Sequence, residues 1–488
     1  MKFYKKPGFY LGLISLLTTC FLFFQLIHLN VLPTIFLAIL IVIFLILLAI
    51  VFLLALNKNI VLTIIGCVLA VVLSITSGFG SYYLMRTNGA LDEMTQSSDK
   101  EKHKIVLYAL KSSPLTSDAD LDGQTIGILK NNAKTYTDQA ISKLESEDRY
   151  FKISEYDSMI QLVNDFKGQK IDLMMVDSSN ISVIEDLEDQ EDFSDEVKEI
   201  YTYTYYVKKV NTSTTTDVTS KTFSVLISGS DSRGSIDETS RSDVDMVVTV
   251  NPTTHMILMT SIPRDYYVTT VCDESMGCAN GQKDKLTHTG LHGVETTEMT
   301  IENLLDMDIN YNVKVGFETV TQLVDTLGGV TVNNPQEFTA QGYTFAAGNI
   351  ELNGEQALAF SRERYSFESG DRERGKNQMR VLTGILNKLM SPSILTNYSS
   401  IMESLSSTFH TNMSMDDISA LVKNQLSSGS SWKIYTNSLD GSGGTDYCYE
   451  LGDNASVVYP DDTSISEAKT DIEAVTMGEE PPYTIAQS

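Results

Sequence analysis

"VDMVVTVNPTTHMILMTSI", residues 244–262, consists of two apolar runs on either side of the polar turn "NPTT". Such runs, closed by a turn that contains proline, read as the two strands of an antiparallel hairpin. Upstream, "TFSVLIS" (222–228) reads as another strand, and downstream "FETVTQLVDTLGG" (317–329) reads as an amphipathic helix stopped by Gly328 and Gly329. Strands alternating with helices predict an α/β domain over 221–435 with a sizeable core.

Further upstream, "KIVLYAL" (104–110), "QTIGIL" (124–129), "IDLMMVD" (171–177) and "IYTYTYYVK" (200–208) read as strands of a smaller α/β unit, 103–210, with helical stretches between them. The Ser/Thr-rich "NTSTTTDVTSK" (211–221) separates the two units. Residues 7–57 contain no charged side chain and neither do residues 59–85, enough for three membrane spans at about 9–27, 34–56 and 60–84 within an anchor of residues 1–86. Lys2, Lys5, Lys6 and Lys58 lie on one side of these spans, so the positive-inside rule places the N-terminus in the cytoplasm and everything after Arg86 outside the plasma membrane. Residues 87–102 read as a polar linker, and the acidic stretch 436–488 as a disordered tail.

The formal net charge is -27, and from Thr87 onward 31 Lys and Arg face 63 Asp and Glu. That excess repels nucleic acid and excludes a DNA-binding role. An anionic ligand has to be met by a local cluster, and the ten arginines supply one, since eight of them fall between Arg233 and Arg380. In "ALAFSRERY" a strand period of two puts Arg362 and Arg364 on one face. A helix beginning near Arg372 puts Arg374 and Gln378 on one face at its N-terminus, where free N–H groups favour an anion.

The strand 222–228 empties into "GSDSRGS", which holds Asp231. Pairing in the hairpin brings Arg241 and Asp243, at the start of one strand, beside Arg264 and Asp265 at the end of the other. Arginine grips phosphate oxygens with a planar fork, and carboxylates among arginines suit a divalent metal that shares the phosphates. The other reading of the same residues is a set of salt bridges with Glu363, Glu368 and Glu373. His288 and His292 stand four apart, but no third metal ligand is near them in sequence. Cys272 and Cys278 flank a short loop and are placed to pair in an oxidising setting, with Cys448 left over.

"SDSRGSIDETSRSDVDMVV", "TSIPRDYYV", "DKLTHTGLHGVE", "LVDTLGGVTV", "LNGEQALAFSRERY" and "GDRERGKNQ" together resemble the LytR-CpsA-Psr family over about 220–395. The three-span anchor and the extra α/β unit look like its capsule-associated branch. The resemblance implies an α/β/α sheet domain with a lipid-binding cavity. It also implies a phosphotransferase that moves a glycan, capsular polysaccharide in this branch, from an undecaprenyl pyrophosphate carrier to peptidoglycan with Mg²⁺, or Mn²⁺ in its place. On that pattern Asp231 and Asp243 serve the metal and, with Arg264, the chemistry. Arg264, Arg362, Arg364, Arg374 and Gln378 hold the pyrophosphate, and Arg241 and Lys285 line the same pocket. Capsule assembly proteins are further expected partners. Asn377 stands where many members have arginine, beside Lys376. A carrier or regulator that binds the lipid pyrophosphate, or a pyrophosphate phosphatase, would use the same arginines; the small unit reads as an interaction or spacing module.

Overall fold

The computed structural model describes residues 6–95, 99–230, 236–368, 370–391, 394–406 and 408–487. Three helices, α1 (Pro7–Leu29), α2 (Thr34–Ala55) and α3 (Ile60–Thr95), are long and apolar enough to cross a membrane. Small residues such as Gly12, Ser15, Ala70 and Ser77 are buried where these helices meet, while Leu17, Phe24 and Leu53 face outward. This is the distribution of helices that pack closely within lipid.

At 36 residues, α3 rises about 54 Å, well beyond the roughly 30 Å of a hydrocarbon core. Its last turns include the first part of the stretch expected to be a linker. They stay helical because Ala90, Leu91 and Met94, spaced on one face, bury themselves in the apolar cluster of the large domain.

The small unit forms from β1 (Lys100–Leu110), β2 (Thr125–Leu129), α4 (Lys134–Ser146), β3 (Lys152–Tyr156), α5 (Met159–Lys167), β4 (Leu173–Asp177), α6 (Asn180–Glu185), α7 (Phe193–Glu196) and β5 (Val197–Lys208). Its sheet runs β3-β2-β4-β1-β5. β2 is parallel to β3 and β4, and β1 is antiparallel to β4 and β5.

The large domain opens with β6 (Phe223–Ser230), β7 (Val244–Asn251) and β8 (Met256–Ile262), followed by the pair β9 (Tyr267–Thr269) and β10 (Lys283–Lys285). Then come α8 (Val294–Leu305), β11 (Tyr311–Gly316), α9 (Phe317–Thr326) and two small hairpins, β12 (Val330–Asn334) with β15 (Gly348–Leu352) around β13 (Phe338–Ala340) and β14 (Tyr343–Phe345). α10 (Gly354–Arg362), α11 (Asp371–Leu389), α12 (Ile394–Leu405), β16 (Phe409–Thr411), α13 (Met415–Ser428) and β17 (Lys433–Ser438) follow. The chain closes with the hairpin β18 (Gly441–Cys448) and β19 (Asp453–Pro460), α14 (Asp462–Met477) and β20 (Ile485–Gln487).

The main sheet has seven strands in the order β16-β11-β6-β7-β8-β17-β20. The predicted hairpin lies at its centre, with Asp245 opposite Ile262 and Asn251 opposite Met256. Strand alternation sends Met256 and Leu258 toward α8 and α14, and Ile257 and Met259 toward α11. Helices therefore cover both faces, giving the expected α/β/α sheet domain.

Two expectations are corrected here. The stretch expected to be disordered is folded over its described residues 436–487, because β20 pairs with β17 and α14 buries Ile465, Ala468, Ile472 and Val475 against the sheet. An apolar residue every three or four positions supplies that face despite the acidic composition. "ALAFSRERY" is not a strand: α10 runs through it to Arg362, started by a reciprocal cap between Asn353 and Gln356. Cys272 and Cys278 are disulfide-bonded, and Cys448 is free and buried. The apolar interior in which a lipid cavity is expected is occupied by Phe338, Phe345, Phe360, Met402 and Leu405, with Leu91 of α3 among them.

Candidate active site

The centre of the sheet puts the first functional groups together. Asp243 lies just before β7 and its backbone N–H donates to Gly229 at the end of β6, 2.7 Å away. Arg264 lies just past β8, opposite it in the hairpin, and donates from Nη1 to Asp243 Oδ1 at 2.6 Å. Arg241, Asp243, Arg264 and Lys285 are 7 to 8% exposed.

The segment after β10 ties these strand ends together, since Thr287 accepts from the backbone N–H of Ser242 (2.9 Å) and donates its own N–H to the Arg264 carbonyl (2.8 Å). Gly290 makes the approach feasible, because a Cβ there would lie 2.5 Å from Ser242 N. α11 arrives from the other side. Gly375 lets its first turns close on Ser261, whose Oγ would be 2.5 Å from a Cβ, and so Arg374 is delivered next to β8.

Arg374 pairs with Asp371 at 2.6 Å, and Lys285 with Asp265 at 3.2 Å. Four cations thus converge with three carboxylates. Burial opposes the Asp243 charge, but Arg241 and Arg264 prevail and hold its carboxyl below the ordinary carboxylate range. Burial also opposes the Arg264 charge, and Asp243 and Asp265 more than offset it. Arg374 is lowered, by burial first, with Asp371 acting against that and Arg264 adding to it. Asp245, behind Asp243, is pushed up to about 8 by burial, with the Asp243 charge contributing, and accepts a hydrogen bond from Ser242 Oγ at 2.6 Å.

The nitrogens Arg241 Nε and Nη1 and Arg264 Nε are buried and donate no hydrogen bond to the protein. Buried donors normally have acceptors. Phosphate oxygens are acceptors of the kind that would complete them.

Of the residues expected here, Arg241, Asp243, Arg264, Lys285 and Arg374 are brought together, and Gln378 lies one turn further along α11. Arg364 is close enough for its charge to act on Arg374, and its guanidinium also reaches Tyr365 Oη at 2.7 Å. Arg362, at the end of α10, lies over the Phe317 ring at 4.5 Å. A helix end followed by a turn therefore separates the two arginines that a strand would have aligned. Asp231 lies outside the described residues.

Among the described residues no group of three His, Cys, Asp or Glu side chains is arranged to hold a metal. One or two carboxylates fit Mg²⁺ only when substrate phosphates complete its shell. The ionised Asp243 beside unfilled arginine donors is compatible with that mode. His288 and His292 do not share a ligand, because His288 Nδ1 bonds Asp284 (2.6 Å) and His292 Nε2 bonds Glu450 (2.8 Å).

Sequence reasoning placed Asp265 beside Arg264 without giving it a role, and did not single out Asp371, three residues before Arg374. It had no access to Asp186, which reaches the site from the small unit and ion-pairs with Arg241 Nη1 at 2.9 Å and Arg264 Nη2 at 3.2 Å.

The LytR_cpsA_psr family model matches residues 188–473, more than half of the 488 residues. The polyisoprenyl-teichoic acid–peptidoglycan teichoic acid transferase TagU of Bacillus cereus (strain AH820) is 39% identical over 206 residues, 42% of this chain and 65% of its own. The protein of that name from Bacillus subtilis (strain 168) is 38% identical over 197 residues, 40% of this chain and 61% of its own. The chain thus spans somewhat under two thirds of the length of these relatives. The crystal structure of B. subtilis TagU is 31% identical, with a TM-score of 0.40 and coverage of 54% of this chain and 98% of that one. TagT bound to LIIa-WTA is 26% identical, with a TM-score of 0.41 and coverage of 54% and 94%. With the arginine and aspartate motifs assembled on one α/β/α sheet and the family model matching across them, the chain belongs to the LytR-CpsA-Psr family.

Proposed function

We propose that this protein is a membrane-anchored phosphotransferase that moves a glycopolymer from a polyprenyl pyrophosphate carrier to a peptidoglycan hydroxyl. Its glycan in this reading is a capsular polysaccharide. The observation that carries it is the set of unfilled, buried guanidinium donors on Arg241 and Arg264, grouped with Lys285 and Arg374. The transferase names of the relatives support it. The lysines around the first spans favour a cytoplasmic N-terminus and a site outside the plasma membrane, where peptidoglycan is met.

In phosphoryl transfer, positioning and neutralisation of charge do most of the work. Arg264 and Arg241 bind the phosphate oxygens from the sheet side, and Arg374 from α11. Asp243, held ionised, accepts a hydrogen bond from the incoming hydroxyl and takes its proton as the oxygen bonds phosphorus, while the phosphoanhydride bond breaks and polyprenyl phosphate leaves. Mg²⁺, held by Asp243 with Asp231 and phosphate oxygens, would supply further neutralisation of the developing charge. For the polyprenyl chain to enter the apolar interior, side chains that fill it, such as Phe338 and Phe360, have to move aside.

The test uses the full chain in detergent with Mg²⁺, labelled undecaprenyl pyrophosphate glycan and peptidoglycan oligomers, beside Arg264→Ala. A phosphodiester-linked product seen by mass spectrometry, and lost by at least about 100-fold in the variant, is the expected result. Glycan phosphate, or free phosphate released from it, without linkage would make the protein a phosphatase, and bound but unchanged lipid would make it a carrier.

A further inference from the structure

We propose that Asp186 of the small domain is a built-in competitor of the substrate phosphate: its carboxylate occupies guanidinium groups that the phosphate must take, so it sets the affinity of the site. The inference rests on the reading that Arg241 and Arg264 bind phosphate.

Asp186 spans the two arginines with one oxygen each, Oδ2 to Arg241 Nη1 at 2.9 Å and Oδ1 to Arg264 Nη2 at 3.2 Å. A phosphate bridging two guanidinium groups uses its oxygens in the same way. The imitation is incomplete, because Arg241 Nε and Arg264 Nε still donate no hydrogen bond and Arg241 Nη1 meets Asp186 as an ion pair without hydrogen-bond geometry. A ligand with more acceptor oxygens satisfies those donors, and a carboxylate with two does not.

Position and charge agree with competition. The Asp186 side chain is 25% exposed against 8% for Asp243, which places Asp186 at the mouth of the site and Asp243 at its floor. Asp186 is the fourth carboxylate beside four cations, so it balances the cluster when no ligand is bound. Once a doubly charged phosphate is present, Asp186 becomes a like charge at close range. The chain continues from it as "DLEDQED" (186–192), so Glu188, Asp189, Glu191 and Asp192 follow it closely in sequence.

The domain does not depend on this contact for its seat. Met159 N donates to the Leu451 carbonyl at 2.8 Å, Ser158 Oγ to Asp453 at 2.9 Å and Asn132 Nδ2 to Glu450 at 2.7 Å. Leu162 and Phe166 share a buried cluster with Cys448, Leu451 and Val457 of the β18–β19 hairpin. Withdrawal of Asp186 therefore requires only that the end of α6 and the following loop shift, while the domain stays docked. The LytR_cpsA_psr match begins at residue 188, after Asp186, so this contact comes from outside the family-matched segment.

The test measures the Kd of inorganic pyrophosphate by calorimetry for the full chain in detergent, without divalent metal, at fixed low ionic strength. Asp186→Asn is compared with the unmodified chain and with Asp189→Asn, which removes the same charge from an exposed neighbour. Thermal melts establish that each variant is folded. The expected result is binding tightened about tenfold or more in Asp186→Asn alone, a difference of about 1.4 kcal/mol. An unchanged Kd overturns the proposal and leaves the phosphate site standing. Weaker binding also overturns it, making Asp186 a positioning residue for Arg241 and Arg264. Equal tightening by Asp189→Asn reduces the effect to general charge and overturns the specific contact, and no binding by any folded form overturns the phosphate reading along with the proposal.

Discussion

Arg264 carries its charge into a nearly closed site because carboxylates meet it on several sides, Asp243 at 2.6 Å, Asp186 at 3.2 Å and Asp265 at 3.7 Å. Lysine would keep the charge there but lose the planar fork that addresses two carboxylates, or two phosphate oxygens, at once. Glu298 of α8 shows the opposite case, a buried carboxyl with no cation against it among the described residues. It is 0% exposed, accepts from Asn312 Nδ2 at 2.6 Å and is raised to about 7, chiefly by burial. The folded chain holds that proton more tightly than the unfolded chain does. Stability from this group is therefore full below about pH 4.5 and lost as pH rises toward 7, by up to about 3 kcal/mol. Glu298→Gln, neutral at every pH, should flatten that part of the stability profile measured by urea unfolding between pH 5 and 8; an unchanged slope would remove Glu298 as its source. The arginine positions in the hairpin were legible because strand pairing fixes which residues are opposite. Asp186 was not legible, since nothing local in "VIEDLE" points to arginines more than fifty residues away.

The elements differ in how plainly they announce themselves. The β7–β8 hairpin, the start of α11 and the glycine stop of α9 follow from strong local signals, and Gly328 and Gly329 take positive φ of 73° and 89°. α10 was misread because "SRER" alternates like a strand, although Asn353 and Gln356 stand at the spacing of a reciprocal cap and were available as a warning. α14 was missed because acidic composition was weighed above its apolar period. That element gives a direct test. Burying one Ile or Val is worth about 1.5–3 kcal/mol, and α14 buries Ile465, Ile472 and Val475 over Leu258 and Tyr435. Deleting residues 462–488 should therefore unfold or aggregate the large domain, seen as a lost cooperative thermal transition by circular dichroism. An unshifted transition would mean the segment contributes nothing to the core.

At the scale of the whole molecule, the anchor and the large domain are joined by packing as well as by chain connectivity. Composition alone located the three apolar helices, yet it could not show that α3 continues past the membrane into the domain's own core. Leu91 is fully buried there, Thr87 Oγ1 donates to Ser399 Oγ at 2.7 Å, Arg86 pairs with Glu403 at 3.3 Å, and Lys423 reaches Asn30 at 2.9 Å. A helix end held on several sides fixes the domain's height and orientation relative to the apolar helices of the anchor. Side chains whose oxygens lie 2.7 Å apart bring their Cβ atoms within reach of a disulfide. In Thr87→Cys/Ser399→Cys, mild oxidation of protein in native membranes should give the linked peptide by mass spectrometry, and transfer activity should persist because the link preserves the working arrangement. Absence of the linked peptide would show that the domain rides free of α3. A linked protein that has lost activity, restored by reduction, would show that the domain must lift from its anchor in each cycle.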